Sequence, residues 1–398
     1  ENGPGAAGFE RSFVNVGGAA NHWDSVGYHE DGTVYREDDE PTVWPEGRYT
    51  TDFFTERLID YIESNRGDGR PFFAFAAYTS PHWPLQVPEE ELDSYAGRYD
   101  EGYDRLREVN FERLQMAGII PDSMQLRPRN ELVTPWQDLD EEQRRREARK
   151  MELYAAMVTN LDRHVGRLME YLRQNDLYDN TLIVFMSDNG AAAEDFYNDP
   201  SFERYYPYLR EHYDNRYENM GRPGSWVSYG LGWAEAGSAP FSRVKVHVTE
   251  GGIRAPMIAA GYGVQARGEI DREYLTVMDL APTFLELAGA DYPDSEGIQP
   301  MRGESMAAFL AGESKRVHDE SYVTVHSHAG RSYVRQGRWK LLDPDRPFDE
   351  ADMMLFDLEA DPGETINLAD AEPEQYQHML ELWREHRQAA GIVLPQDL

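Results

Sequence analysis

The sequence predicts an α/β fold in which a large mixed, mostly parallel sheet is sandwiched by helices and followed by a small C-terminal antiparallel sheet plus helix. Three observations predict it. The runs Phe72-Phe73-Ala74-Phe75-Ala76-Ala77-Tyr78 and Thr181-Leu182-Ile183-Val184-Phe185-Met186 are continuous and apolar. Both are of strand length and bounded by turn residues, the pattern of strands buried on both faces. Between them, Tyr154, Val158, Leu161, Val165, Leu168 and Leu172 step by four and three, which keeps one apolar stripe on a helix over 147–174. Beyond Glu320 the apolar residues come in short alternating runs, as in a small antiparallel sheet.

In chain order, residues 1–48 are rich in Gly, Pro, Asn and acid and read as loop. Phe54, Leu58, Tyr61 and Ile62 have the spacing of an amphipathic helix. Pro71 introduces the first strand, the long helix follows, and a polar turn at Asn175-Asp176 leads into the second strand. A long helix running into a buried strand favours layered α/β architecture, where ligands sit beyond the carboxyl ends of strands. Residues 191–244 are poorly periodic, with 11 aromatic residues between Phe196 and Trp233, so they are either a functional loop or an ordinary packed insertion. Val277 to Ala290 reads as another helix. Tyr322-Val323-Thr324-Val325, Ser332-Tyr333-Val334, Trp339-Lys340-Leu341 and Met354-Leu355-Phe356 read as strands, and Tyr376, Met379, Leu380 and Trp383 share one face of a last helix. The expected division is a principal domain over 1–318 and a C-terminal α+β subdomain over 319–398.

Composition narrows the function. The chain has 398 residues, 39 Lys plus Arg against 73 Asp plus Glu, a net charge of −34 and no cysteine. A negative field of this size opposes binding to nucleic acid or to anionic membrane surfaces. Zero cysteine excludes disulfides, zinc fingers, iron–sulfur clusters and a cysteine nucleophile in this chain. No window approaches the roughly 20 apolar residues of a membrane span. The start, Glu1-Asn2-Gly3-Pro4-Gly5, has neither an initiator Met nor the features of a signal peptide, so a segment is expected to have been removed upstream. Only Lys150, Lys245, Lys315 and Lys340 are lysines. Solubility at high salt and a GC-rich genome each account for that scarcity, which makes every lysine worth inspecting. Arg144-Arg145-Arg146 follows Asp138, Asp140, Glu141 and Glu142, and is expected to make local pairs with them.

Three segments carry chemistry. Thr79-Ser80-Pro81-His82-Trp83-Pro84-Leu85 follows the first strand, and its prolines fix the backbone around His82. An imidazole held there can protonate a leaving group or bind an anion, while a loop histidine with one structural hydrogen bond is the plainer alternative. Ser187-Asp188-Asn189-Gly190 ends the second strand; Asp188 and Asn189 offer hard oxygens suited to Ca²⁺ or Mg²⁺, although a plain Asp-Asn-Gly turn has the same text. Lys245 lies five residues before Glu250-Gly251-Gly252-Ile253-Arg254, whose glycines mark a tight turn or a close backbone approach. A lysine there suits a tetrahedral oxyanion, or is an ordinary surface lysine.

Taken together, in this order, these segments resemble the sulfatase family of the alkaline phosphatase superfamily, bacterial arylsulfatases above all. Arg338-Trp339-Lys340-Leu341 and Leu355-Phe356-Asp357-Leu358-Glu359-Ala360-Asp361-Pro362-Gly363-Glu364 look like that family's C-terminal subdomain. Gly8-Phe9-Glu10 and Gly17-Gly18-Ala19-Ala20-Asn21-His22 look like the segment after its first third. The resemblance implies a Ca²⁺ ion, or occasionally another divalent cation such as Mg²⁺, held by two upstream Asp and by Asp188 and Asn189. It implies that His82 and Lys245 grip the sulfate ester and help the leaving oxygen depart. It implies a formylglycine nucleophile made from the Cys or Ser of a Cys/Ser-x-Pro-x-Arg motif.

That motif is absent; the nearest text, Ser238-Ala239-Pro240-Phe241-Ser242-Arg243, has its arginine one place late. The family's first-strand Asp pair and upstream Lys and His have no counterpart either. The expectation is a sulfatase lacking its N-terminal segment, and this polypeptide alone is expected to show no turnover and weak calcium binding. Net acidity favours a small aryl or alkyl sulfate ester over a polyanionic one. A phosphate or phosphonate ester hydrolase of the same superfamily and a noncatalytic sulfatase-like binder are the rivals. No nucleic-acid partner is expected, a periplasmic or extracellular location is favoured over a cytoplasmic one, and the oligomeric state stays open. His22 is expected to be structural.

Overall fold

The computed structural model describes residues 3–17, 20–265, 268–293 and 297–394. Gly18 and Ala19, and the Glu1-Asn2 start, lie outside the described residues. The chain divides into two compact units, one of Glu1–Arg107, Asn130–Asn175 and Ala192–Ala236, the other of Glu108–Arg129, Asp176–Ala191 and Gly237–Leu398.

In the first unit, the stretch expected to be loop contains three short antiparallel strands, β1 (Phe13–Asn15), β2 (Tyr35–Glu37) and β3 (Glu40–Thr42). Their apolar residues are too sparse to show a period, yet Tyr35, Trp44 and Phe53 close into a small aromatic core beside them. The helix Thr50–Ser64 forms as its spacing predicts and buries Phe53 and Ile62. The long helix Glu141–Gln174 begins six residues before the predicted start at 147. Its start is set by a capping box: Asp140 accepts from the Gln143 amide while the Gln143 side chain accepts from the Asp140 amide. Of the predicted stripe, Leu161 and Leu172 are buried but Val158 is 42% exposed. Leu153 and Met157, one position before Tyr154 and Val158, are the fully enclosed residues and pack with Leu85, Val87, Leu92, Met220 and Val227.

Two expectations are corrected in this unit. Residues 72–78 belong to no strand, and Phe73 and Phe75 are 61% and 71% exposed. An apolar run becomes a strand only where a neighbouring ladder takes up its N–H and C=O groups, and no described strand pairs with this one. The arginine run does not pair with the preceding acids as expected. Arg144 donates to the Leu139 carbonyl, Arg146 to the Asn215 carbonyl, and Arg145 lies 3.7 Å over the Tyr217 ring. Carbonyls and an aromatic face brought up by folding outcompete exposed carboxylates, whose pairs contribute little in water.

The second unit holds β4 (Leu182–Met186) paired antiparallel with β5 (Met257–Gly261), and a four-stranded antiparallel sheet in the order β6 (Val323–His328), β7 (Arg331–Gln336), β8 (Trp339–Asp343), β9 (Met354–Asp357). The α/β class and the small C-terminal sheet with its helix are as predicted. The largely parallel sheet is not: every described pairing runs antiparallel, because β4 meets β5 head to tail. β5 escapes sequence reading since its Ala259-Ala260 centre carries little β-propensity. The segment expected as one helix from Val277 divides into a 3₁₀ turn, Val277–Asp279, and the helix Leu280–Ala288. The helix Pro373–Ala389 lays Met379, Leu380 and Trp383 on the C-terminal sheet, where they join Val334, Leu341, Phe348, Met353, Leu355 and Leu394.

Candidate functional site

In the first unit, His82 sits just beyond the apolar run 72–78 in a short loop bracketed by Pro81 and Pro84, both following cis peptide bonds. Its amide donates to the Thr79 carbonyl at 3.0 Å. Its ring Nδ1 lies 2.8 Å from the Trp83 carbonyl, which only accepts, so Nδ1 carries the proton and Nε2 is the atom that takes up or gives one. Trp83, next to it, is buried with Leu209, Tyr213 and Trp226, and Phe196 packs edge-on at 4.7 Å. The aromatic stretch is therefore a packed scaffold for the loop that carries His82, with Trp226 and Trp233 almost wholly enclosed.

His22 lies beneath that loop and is 1% exposed. Its Nε2 faces the His82 carbonyl at 3.3 Å, so it donates there, and its Nδ1 accepts from the Thr50 hydroxyl at 2.6 Å. Burial, and secondarily the charge of His82, pull its pKa from 6.5 down to about 4, although its hydrogen bond to the His82 carbonyl works the other way. His22 is thus a neutral strut at pH 7. A depressed histidine contributes stability that is complete above pH 6.5 and is lost as pH falls toward about 4. That contribution amounts to roughly 3 kcal/mol. Urea melts from pH 7.5 to pH 4 are expected to lose this much more stability in the native chain than in His22→Gln. Equal pH slopes would refute the assignment.

In the second unit, the antiparallel register supplies the geometry. Met186 at the end of β4 stands opposite Met257 at the start of β5. The turn Ser187–Gly190 that leaves β4 therefore lies against the segment that enters β5. The Gly190 amide donates to the Gly252 carbonyl at 2.9 Å, and the Lys245 amide donates to the Ala191 carbonyl at 3.0 Å. The three glycines make this possible. A Cβ on Gly190 would meet the Gly251 carbonyl oxygen, one on Gly251 the Ser242 and Arg243 carbonyls, and one on Gly252 the Val244 and His247 carbonyls. Asp188, Asn189 and Lys245, more than fifty residues apart in sequence, thus come to adjoining loops.

Asp188 is exposed and Asn189 and Lys245 are half-buried. The Asn189 amide nitrogen donates to the Gly190 carbonyl at 2.9 Å, which turns its side-chain oxygen the other way. Asp188 and Asn189 offer two hard oxygens from one turn, part of the six to eight that calcium takes. Among the described residues no three His, Cys, Asp or Glu gather into a metal-holding group.

Lys245 is flanked by strain. Arg243 and Val246 have φ of 60° and 78°, left-handed values that cost a non-glycine residue about 1–3 kcal/mol each, and a β-branched valine most of all. The loop is closed at its base by the Gly251 amide and the Thr249 hydroxyl, both donating to the Ser242 carbonyl at 2.9 and 2.7 Å. Below it lies a buried ionic trio that sequence reading quotes without a role. Lys340 Nζ, with its side chain fully enclosed, is 2.8 Å from Glu250 Oε1 and 2.8 Å from Glu364 Oε1. Glu364 Oε2 also accepts the Glu250 amide at 2.9 Å. Burial works against the charge on Glu250, but Lys340, Arg335 and Arg254 outweigh it and hold the carboxyl below its ordinary value. Burial likewise opposes the charge on Lys340, and the two glutamates overcome it. The available signal was a lysine inside the otherwise apolar strand Trp339-Lys340-Leu341-Leu342, in a chain with four lysines.

The family model described as sulfatase matches residues 4–290, and one described as N-sulphoglucosamine sulphohydrolase, C-terminal, matches residues 244–389. An uncharacterized sulfatase of Schizosaccharomyces pombe is 34% identical, covering 99% of this chain and 73% of its own length. An arylsulfatase of Klebsiella aerogenes is 36% identical over 77% of this chain and 67% of its own. Among solved structures, Ps i-CgsB covers 96% of this chain and 67% of its own with a TM-score of 0.61 at 21% identity, a likeness of fold. Among the described residues no helix is long and apolar enough to cross a membrane.

Proposed function

The chain belongs to the sulfatase family of sulfuric ester hydrolases, and from that premise we propose that its substrate is a small aryl or alkyl sulfate ester, gripped by Lys245 and His82. The observation that carries this reading is the pairing of the Lys245 loop with the Asp188-Asn189 turn across Gly190 and Gly252. A sulfate ester in hydrolysis needs positive charge at its equatorial oxygens and a proton or positive charge at the bridging oxygen. Lys245 supplies a point charge of the kind that suits a tetrahedral oxyanion. His82, its Nδ1 proton committed to the Trp83 carbonyl, offers Nε2 for the departing oxygen. The net charge of −34 supports a small ester over a polyanion. A divisional boundary near residue 318 and a periplasmic or extracellular setting remain part of this reading.

Asp188 and Asn189 would hold the Ca²⁺ of this family, or Mg²⁺, which when bound supplies positive charge to the ester oxygens. For a formylglycine the chain offers no residue, having neither cysteine nor a Ser-x-Pro-x-Arg. The nucleophile is therefore assigned to a segment outside these residues, and the chain alone is expected to turn nothing over. Incubation with 4-nitrophenyl sulfate and 4-nitrophenyl phosphate tests both points. The expected result is no release of nitrophenol, with sulfate-ester binding that Lys245→Met weakens at least tenfold. Robust hydrolysis of the sulfate would overturn the external nucleophile. Tighter binding of the phosphate ester would overturn the substrate class.

A further inference from the structure

Lys245 stands on a loop whose backbone is strained on both sides, and strain of this kind survives only where the surroundings over-determine it. Within the same unit, the fixing contacts converge on Glu250. Its neighbours Thr249 and Gly251 tie the loop's base to the Ser242 carbonyl, and its own amide is held by Glu364. Its carboxylate is held by Lys340, which reaches across from β8 with no exposed surface. We propose that Lys340, bridging Glu250 and Glu364, is a positioning residue that clamps the base of the 242–252 loop and so fixes Lys245 for the sulfate group.

An enclosed ammonium between two carboxylates is an expensive way to join a strand to a loop, since apolar groups of the same volume commonly do as well for stability. What the ionic trio adds is direction. Two bonds of 2.8 Å from one ammonium, with a third from the Glu250 amide to Glu364, set the orientation of the loop base as well as its distance. The C-terminal sheet then serves as the support of the anion-binding loop as well as a separate hydrophobic layer. Lys340 also faces the Tyr333 ring at 4.9 Å, so its position is enforced from the sheet side.

The proposal rests on the reading of Lys245 as the sulfate ligand, and the test separates the two. With lysine labelled at Cε, the four lysines give four resonances, of which the Lys245 signal is expected to move on titration with sodium sulfate. Lys340→Met, measured below its unfolding temperature, is expected to lower the apparent sulfate affinity read at Lys245 at least fivefold. Glu364→Gln, which keeps the volume and one acceptor, is expected to give a smaller loss and covers the case in which Lys340→Met does not fold. Leu380→Ala, a cavity in the same unit's core, is the control for lowered stability and is expected to leave sulfate affinity unchanged. If Lys245 responds to sulfate and both trio variants retain native affinity, the clamp is wrong and the ligand assignment stands. If Leu380→Ala weakens affinity as much as the trio variants, the trio acts only through stability and the clamp is likewise wrong. If the native Lys245 signal ignores sulfate, the ligand assignment fails and takes the clamp with it.

Discussion

Gly190→Ala is expected to be among the most damaging single-methyl changes in this chain. Gly190 does not have a positive φ, so alanine meets no conformational barrier there; the conflict is purely one of space. The added Cβ would run into the Gly251 carbonyl and crowd Gly252, both backbone, and neither can rotate away as a side chain would. The bond from the Gly190 amide to the Gly252 carbonyl must stretch or break. Overpacking of this sort costs typically about 1–3 kcal/mol and more when backbone must shift. We expect about 3 kcal/mol in urea denaturation, together with loss of measurable calcium and sulfate binding, because Asp188-Asn189 and Lys245 stand on either side of the contact. A native-like denaturation midpoint with native affinities would show that the two loops do not depend on this approach.

Trp383→Ala is expected to have an effect of the same size by the opposite mechanism. The indole is fully enclosed in the C-terminal core, against Phe348 at a centroid distance of 5.3 Å. Truncation removes buried apolar surface and leaves a void that the surrounding sheet can only partly close, at a cost of about 3–5 kcal/mol. Trp383→Phe should cost far less. The indole N–H is buried without a partner among the described residues, so phenylalanine loses packing but also removes an unsatisfied donor. Differential scanning calorimetry of the two variants would distinguish these outcomes. A phenylalanine variant as unstable as the alanine one would mean that the N–H finds a partner in solution.

The elements with strong periodicity were legible. The helix Glu141–Gln174, the strands of the C-terminal sheet and the last helix carry patterns that burial on one face imposes, and they fold where those patterns lie. The run 72–78 was misread for a physical reason: composition reports that a segment can be buried, whereas a strand also needs a partner ladder, which is a property of the rest of the chain. The candidate site divides in the same way. His82, Asp188, Asn189 and Lys245 were found as residue types in a recognisable order. The trio of Lys340, Glu250 and Glu364 was in the text without a role, because its members are separated by 90 and 24 residues.

By itself, then, the sequence determined the family, the α/β class, the acidity and absence of cysteine, and the residues with chemistry to offer. Only the tertiary structure decided what those residues meet. It set the antiparallel register that brings the end of β4 to the start of β5, and the glycine contacts that let two backbones touch. It also set the left-handed φ values beside Lys245 and the enclosed ammonium beneath its loop. The difference follows from the range of the forces involved. Hydrophobic periodicity and turn chemistry act between near neighbours and leave a mark in the text. Close approach, strain and buried charge pairing arise only when distant segments share a space from which water has been excluded.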